Sequence, residues 1–271
     1  TIRHYFELPG LEDLDLGTEV YRKAPWSVWR KGDRWCYLGI SAEPGDPELH
    51  RVAYFSSGYT QATIYSTPYH EKLAREEGFH SLSLLPTDQI WLIPLLADRD
   101  AVLLHSAGVI LNGRGLLFAG RSEAGKSTTV TMLKEALSAD AHNTLEILCD
   151  DRNIVRREAD GWRLYGTWSH GDVPDVSPES APLQAMLFLQ KAGHSALVRM
   201  TDRKEIWFRL LTTLIKPMVT AEWWQKELDR LEQIINDVPC YTMFFDKGGD
   251  IVNGLVELTR TGKTVRTGGR Q

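Results

Sequence analysis

The run Gly120-Arg121-Ser122-Glu123-Ala124-Gly125-Lys126-Ser127 sets two glycines, a lysine and a hydroxyl at the spacing G-x-x-x-x-G-K-[ST]. Glycines let backbone N–H groups turn inward around phosphates. The lysine ammonium can reach the β and γ oxygens of a nucleoside triphosphate, and the serine hydroxyl can join the shell of a Mg²⁺ ion. Gly120 to Thr128 are therefore the expected nucleotide-binding residues, with ATP and Mg²⁺ as the expected ligands; the plain alternative is an ordinary glycine turn. Glu123 is the odd member, a carboxylate in a loop suited to anions, which either faces solvent or reads the substrate. A second group, Asp150-Asp151, ends an apolar run. Neighbouring residues at a strand end project in opposite directions, so one carboxylate can face a metal while the other takes a proton from an acceptor.

These residues need elements to hold them. Leu116-Leu117-Phe118-Ala119 reads as a buried strand and Thr128–Leu137 as a helix, which aims a helix N-terminus at the glycine loop. Gly108–Leu111, Asn112-Gly113 and Arg114–Ala119 read as a hairpin that feeds the loop. Leu145–Cys149 reads as the strand behind the aspartates, and Asn153–Arg157 with Trp162–Tyr165 flank the turn Asp160-Gly161. Further strands are expected at 184–190, 196–200 and 238–245, with helices at 202–215, 221–236 and 250–258. Residues 1–97 form an expected small β-rich N-terminal domain. There, aromatic runs such as Trp35–Ile40 alternate with turns such as Glu43-Pro44-Gly45-Asp46-Pro47, and a helix near 87–96 follows. Core packing is the expected role of those aromatics. Residues 98–259 are the expected catalytic domain and 260–271 a basic flexible tail.

Composition narrows the classes. A chain of 271 residues can bury a sizeable core, and a formal net charge of −5 gives no general attraction to nucleic acid or anionic lipid. Cys36, Cys149 and Cys240 are far apart and without C-x-x-C spacing, so neither a zinc site nor a disulfide framework is expected, and a reducing cytoplasm suits them. No apolar stretch is long enough for a membrane span, and the segment Arg3-His4-Tyr5-Phe6-Glu7 does not read as a signal peptide.

The run LLHSAGVILNGRGLLFAGRSEAGKSTTVTML followed by ILCDD resembles the catalytic domain of the HPr kinase/phosphorylase family, over roughly residues 100–258. More closely, it is similar to HPr-kinase-related proteins that include lasso-peptide precursor kinases. Phosphoenolpyruvate carboxykinase shares the same nucleotide-binding core. The resemblance implies an α/β P-loop core, ATP with Mg²⁺, and phosphoryl transfer to a hydroxyl. It gives Lys126 the β/γ-phosphates, Ser127 and Asp150 the metal, and Asp151 the general base, with the two aspartates exchangeable. His105, fifteen residues before Gly120, would sit by the γ-phosphate and support the base or the transferred phosphoryl, with a hydrogen-bonded structural histidine as the alternative. The glycine- and arginine-bearing signature that follows the aspartates in the bifunctional enzymes has no counterpart here, so phosphorylase activity is not implied.

The polar loop Gly166–Asp172, with Ser169 and His170, is a candidate substrate or metal loop as much as an ordinary connection. Arg199 and Arg203 are candidates for neutralising transition-state charge, with surface salt bridges as the alternative. The expected partner is a hydroxyl-bearing acceptor: a serine on a small protein or precursor peptide, or a small-molecule alcohol. Neither nucleic acid nor a membrane is expected, and a homo-oligomer is allowed. The alternative from another class is a nucleotide-binding sensor or partner-binding module without fast transfer.

Overall fold

The aromatic runs of the N-terminal part fold as strands. A computed structural model describes residues 1–40, 49–76, 89–216, 219–246 and 248–261, which fall into two units. The first comprises Thr1–Asp98 with Lys216–Trp224, the second Arg99–Ile215 with the residues from Gln225 onward. The first unit carries β1 (Ile2–Tyr5), β2 (Thr18–Lys23), β3 (Trp26–Lys31), β4 (Arg34–Ile40), β5 (Leu49–Phe55) and β6 (Ala62–Ser66), then helices α1 (Pro68–Glu76) and α2 (Gln89–Ala97). The sheet order is β1-β6-β5-β4-β3-β2. Pairing is antiparallel except between β1 and β6, which run parallel. The Phe6–Gly17 connection is long enough to return the chain to the end of the sheet where β1 began. The turn at 43–47 and Thr87 lie outside the described residues. Trp26, Trp35, Tyr37, Phe55 and Tyr59 are buried with Trp223, and the Tyr37 and Tyr59 hydroxyls hydrogen-bond at 2.9 Å, so the aromatic excess packs this core. Helix α1 escaped the pattern reading, although Thr67-Pro68 is a start signal, with proline at the first helical position.

The second unit is one mixed sheet with helices. Its strands are β7 (Ala101–Leu111), β8 (Arg114–Ala119), β9 (Leu145–Cys149), β10 (Arg152–Glu158), β11 (Gly161–Tyr165), β12 (Ser180–Lys191), β13 (Ala196–Arg199) and β14 (Cys240–Phe245). Its helices are α3 (Lys126–Leu137), α4 (Arg203–Thr213), α5 (Ala221–Asp237), which begins in the first unit's Lys216–Trp224 segment, and α6 (Ile251–Thr261). Asn112 and Gly113 take φ of 52° and 73°, the turn that a two-residue hairpin between β7 and β8 needs. The strand order is β11-β10-β7-β8-β12-β14-β13; β9 pairs with the second half of β7, and β11 pairs again with the start of β12. Strands β10, β7, β8, β12 and β11 thus close a ring. Strands β8, β12 and β14 run parallel, and β12 is apolar on both faces, as a covered parallel strand must be.

Ala107, Phe118, Leu187 and Met243 pack on one face with Val130 and Leu133 of α3 and Leu255 and Leu258 of α6. Each of the larger side chains, Ala107 aside, contributes roughly 1.5–3 kcal/mol. Helix α4 lies over the other face, with its Arg209 against the Phe188 ring, and the chain after it pairs Leu214 with Leu104 along the edge of β7. Asp202 caps it by accepting from the amides of Lys204 and Glu205. Helix α6 runs through Thr261, so Arg260 and Thr261, expected in the tail, are helical; a basic residue in a last turn suits the helix dipole. Residues 262–271 lie outside the described residues.

Glu227 on α5 is 1% exposed, and among the described residues neither carboxylate oxygen finds a hydrogen-bond partner. Burial pushes its pKa up to about 8 from 4.5, against the pull of Arg230. The folded chain therefore holds a proton that the unfolded chain releases. Stability from this group is complete below pH 4.5 and is lost as pH rises toward 8, by on the order of a few kcal/mol. Glu227→Gln should flatten that decline in a series of thermal melts across this range; an unchanged slope would remove Glu227 as its source.

Candidate functional site

Loop 120–125 joins the end of β8 to the start of α3. Gly125, the residue before α3, has φ 104°, and a Cβ there would meet the Phe245 ring at 2.7 Å, so both conformation and space require glycine. A Cβ on Gly120 would meet that of Ala124 at 2.6 Å. Arg121, Ser122 and Glu123 are exposed, and Glu123 holds φ 65°, a left-handed conformation unfavourable for a residue with a side chain. Lys126, Ser127 and Thr128 form the first turn of α3, whose free amides face the loop.

Lys126 is buried, and its ammonium donates to the carbonyls of Gly120 and Arg121 at 3.3 and 3.4 Å. Burial lowers its pKa, while the Asp151 and Asp150 carboxylates act in the opposite direction. His105, on β7, pairs in register with Arg152, and its Nε2 lies 3.6 Å from Asp151 Oδ1. Burial and the Lys126 charge lower the His105 pKa below 6.5, so the imidazole is neutral at pH 7. Lys126, His105 and Asp151 therefore form one electrostatic group, assembled from three elements.

The two aspartates differ in their surroundings. Asp150 is 2% exposed, and its Oδ1 and Oδ2 accept from the amides of Gly171 and Val173 at 2.5 and 2.9 Å. Asp151 is partly open. Its Oδ2 accepts from the Ser169 hydroxyl at 2.6 Å and lies 3.4 Å from the Arg152 guanidinium, which itself donates to Ser169 Oγ at 3.0 Å. The loop after β11 is thus fastened to both carboxylates through Ser169 and Gly171. His170 is exposed, and its Nδ1 lies 3.1 Å from the Gly171 carbonyl oxygen. Beneath the pair, Asn153 donates to the Ser106 carbonyl at 2.7 Å, and a Cβ on Gly108 would collide with Asn153 Oδ1.

The expected arginines are elsewhere. Arg199 aligns through Tyr241 and Leu187 with Phe118, three strands and about 14 Å across the sheet from β8. Its guanidinium stacks on the Tyr241 ring at 5.1 Å. Arg203 begins α4 and lines a groove with Trp207 and Glu232. Arg199 is kept from the loop by β12 and β14, and Arg203, at the first residue of α4, does not line the cavity that later α4 residues share with Gly120. The guanidinium at the carboxylates is that of Arg152, which the sequence reading passed over; its position directly after Asp150-Asp151 was the available signal.

No family model matches the chain, and no curated protein matches it. Among solved structures it is similar to that titled "Structure of the Hpr(Ser) kinase/phosphatase from Coxiella burnetii", at 13% identity and a TM-score of 0.35, over 59% of this chain and 89% of that one. A likeness of that strength carries no weight for chemistry.

Among the described residues no helix is long and apolar enough to cross a membrane. Cys36, Cys149 and Cys240 are buried and free.

Proposed function

We propose that this protein is a P-loop ATP-dependent phosphotransferase that moves the γ-phosphoryl group of ATP to a hydroxyl. The acceptor is a serine on a small protein or precursor peptide, or a small-molecule alcohol. One observation carries the reading: the ammonium that opens α3 beside the glycine loop shares its surroundings with Asp151 and a neutral His105. A phosphate chain held by loop amides and Lys126 would end beside a carboxylate able to take a hydroxyl proton. Ser169 and Arg152 hold that carboxylate from its other oxygen, and Asp150 keeps the 171–173 segment in place.

Magnesium fits the donor set in part. The Ser127 hydroxyl and the Asp150 carboxylate are oxygen donors, as a hard cation needs, but each Asp150 oxygen already accepts a backbone amide. Among the described residues no group of three or more His, Cys, Asp or Glu could hold a metal, so phosphate oxygens and water would complete the shell. When bound, the ion neutralises charge on the β and γ oxygens.

Incubation with γ-labelled ATP and host extract, separated into protein and small-molecule fractions, tests the proposal. Label transferred to either fraction supports it. Nucleotide binding with no transfer to either leaves the sensor reading in its place.

Glu123 gives a separate expectation. Its exposed carboxylate repels incoming phosphate, and its positive φ suits glycine better. Glu123→Gly should tighten ATP binding, most at low salt where charge is least screened. Equal affinities across a salt series would mean that the carboxylate points away from the phosphates.

A further inference from the structure

A cavity of about 260 Å³ opens beside the first residues of the loop, lined by Gly120, Arg121, Phe188, Phe208, Arg209 and Thr212 among others. It lies on the opposite flank of β8 from the carboxylates. His105 and Asp151 approach the loop from the β7 side, with β7 hydrogen-bonded to one edge of β8; Phe188 belongs to β12, hydrogen-bonded to the other edge. The sheet faces differ too. Phe188 and Ala119 alternate with Leu187 and Phe118 of the α3 face, so they lie under α4.

The composition suits a flat ring. Phe208 is an aromatic side chain left 67% exposed at the cavity wall. The Arg209 guanidinium lies 5.9 Å from the Phe188 ring centroid and is held there by an ion pair to Glu205. The Thr212 hydroxyl donates to the Arg209 carbonyl, leaving its lone pairs free to accept.

We infer that this cavity seats the nucleobase of the nucleotide whose phosphates the loop takes, with Phe208 as the stacking face; the inference rests on the phosphotransferase reading. Phosphoryl transfer puts the attacking and leaving oxygens roughly in line through the γ-phosphorus. An acceptor hydroxyl whose proton goes to Asp151 therefore enters from the β7 side, and the departing diphosphate extends away from it. The nucleoside end then crosses the loop toward β12 and α4. There Gly120 and Arg121 belong to both the loop and the cavity, so one ligand can occupy the two together.

Calorimetry with two probes, MgATP and magnesium tripolyphosphate, separates the nucleobase site from the phosphate site. Wild-type protein should bind ATP more tightly than tripolyphosphate. Phe208→Ala, an exposed position whose loss leaves the core intact, should weaken ATP by roughly 5- to 150-fold, as expected for losing a base–aromatic stack, and leave tripolyphosphate unchanged. Phe208→Trp should retain ATP affinity. Equal ATP affinity in wild type and Phe208→Ala, or equal loss of both probes, overturns the nucleobase site while the phosphate loop stands. Failure of wild-type protein to bind either probe, or affinity for both probes and turnover all unchanged in Lys126→Ala, overturns the phosphotransferase reading and the nucleobase site with it.

Discussion

Asp151→Asn is expected to keep the fold and MgATP affinity but slow phosphoryl transfer by about 10²- to 10⁴-fold, the usual effect of losing a general base. An asparagine keeps the shape of the side chain and an oxygen that can accept from Ser169, so the loop after β11 stays fastened. It has no carboxylate to receive the acceptor's proton. Asp150→Asn should behave differently, because that carboxylate uses one oxygen for each of two backbone amides. An amide NH₂ facing Gly171 or Val173 would oppose donor to donor. The loss of a buried hydrogen bond should lower stability by about 1–3 kcal/mol, visible in thermal melts. Single-turnover transfer from γ-labelled ATP, alongside calorimetry of MgATP, distinguishes the pair. Transfer at the wild-type rate in Asp151→Asn would remove it from the base role.

Lys126→Ala should lower MgATP affinity by roughly 10- to 150-fold, the worth of a hydrogen bond to a charged partner. Whatever transfer remains should slow by about 10²- to 10³-fold through loss of a preorganised charge at the γ-phosphate. The ammonium is already seated against the Gly120 and Arg121 carbonyls, so little of its interaction with phosphate is lost to ordering. A secondary effect follows at His105. The Lys126 charge is one cause of the lowered imidazole pKa, so its removal should raise the His105 titration midpoint, measurable by NMR. Unchanged affinity and unchanged turnover together would dismiss loop 120–127 as the phosphate site.

Short-range features of the fold were legible in the sequence. Asn112-Gly113 dictates its own turn, and the apolar run before Gly120 with the helical spacing after Lys126 is a local strand-loop-helix sequence. Asp150-Asp151 at a strand end was equally local, although its division into an anchored and an open carboxylate depends on amides more than twenty residues away. Contacts made by distant pairing left no such trace. That β12 lies beside β8, and that α4 brings Phe208 to Gly120, follow from sheet order and face, which no window of sequence encodes. Arg199 and Arg203 misled for the same reason: their type suited the chemistry, but two strands separate Arg199 from β8.

Strand β7 serves two partners on one edge, β10 along its first half and β9 along its second, and the chain crosses between them at Asp150-Asp151. The Asp151 carbonyl accepts from the Ser106 amide at that seam. Both ends of the aspartate pair are thus pinned within a residue or two by ladder hydrogen bonds to a single strand, whose first half also belongs to a closed ring. Shifting the backbone that carries the pair would require unzipping one of those ladders, so only side-chain rotation, at the cost of the Ser169 hydrogen bond, can move the Asp151 carboxylate. On the proposed phosphotransferase reading, alignment at such a seam becomes a matter of substrate delivery: nucleotide and acceptor would come to a carboxylate whose backbone is fixed.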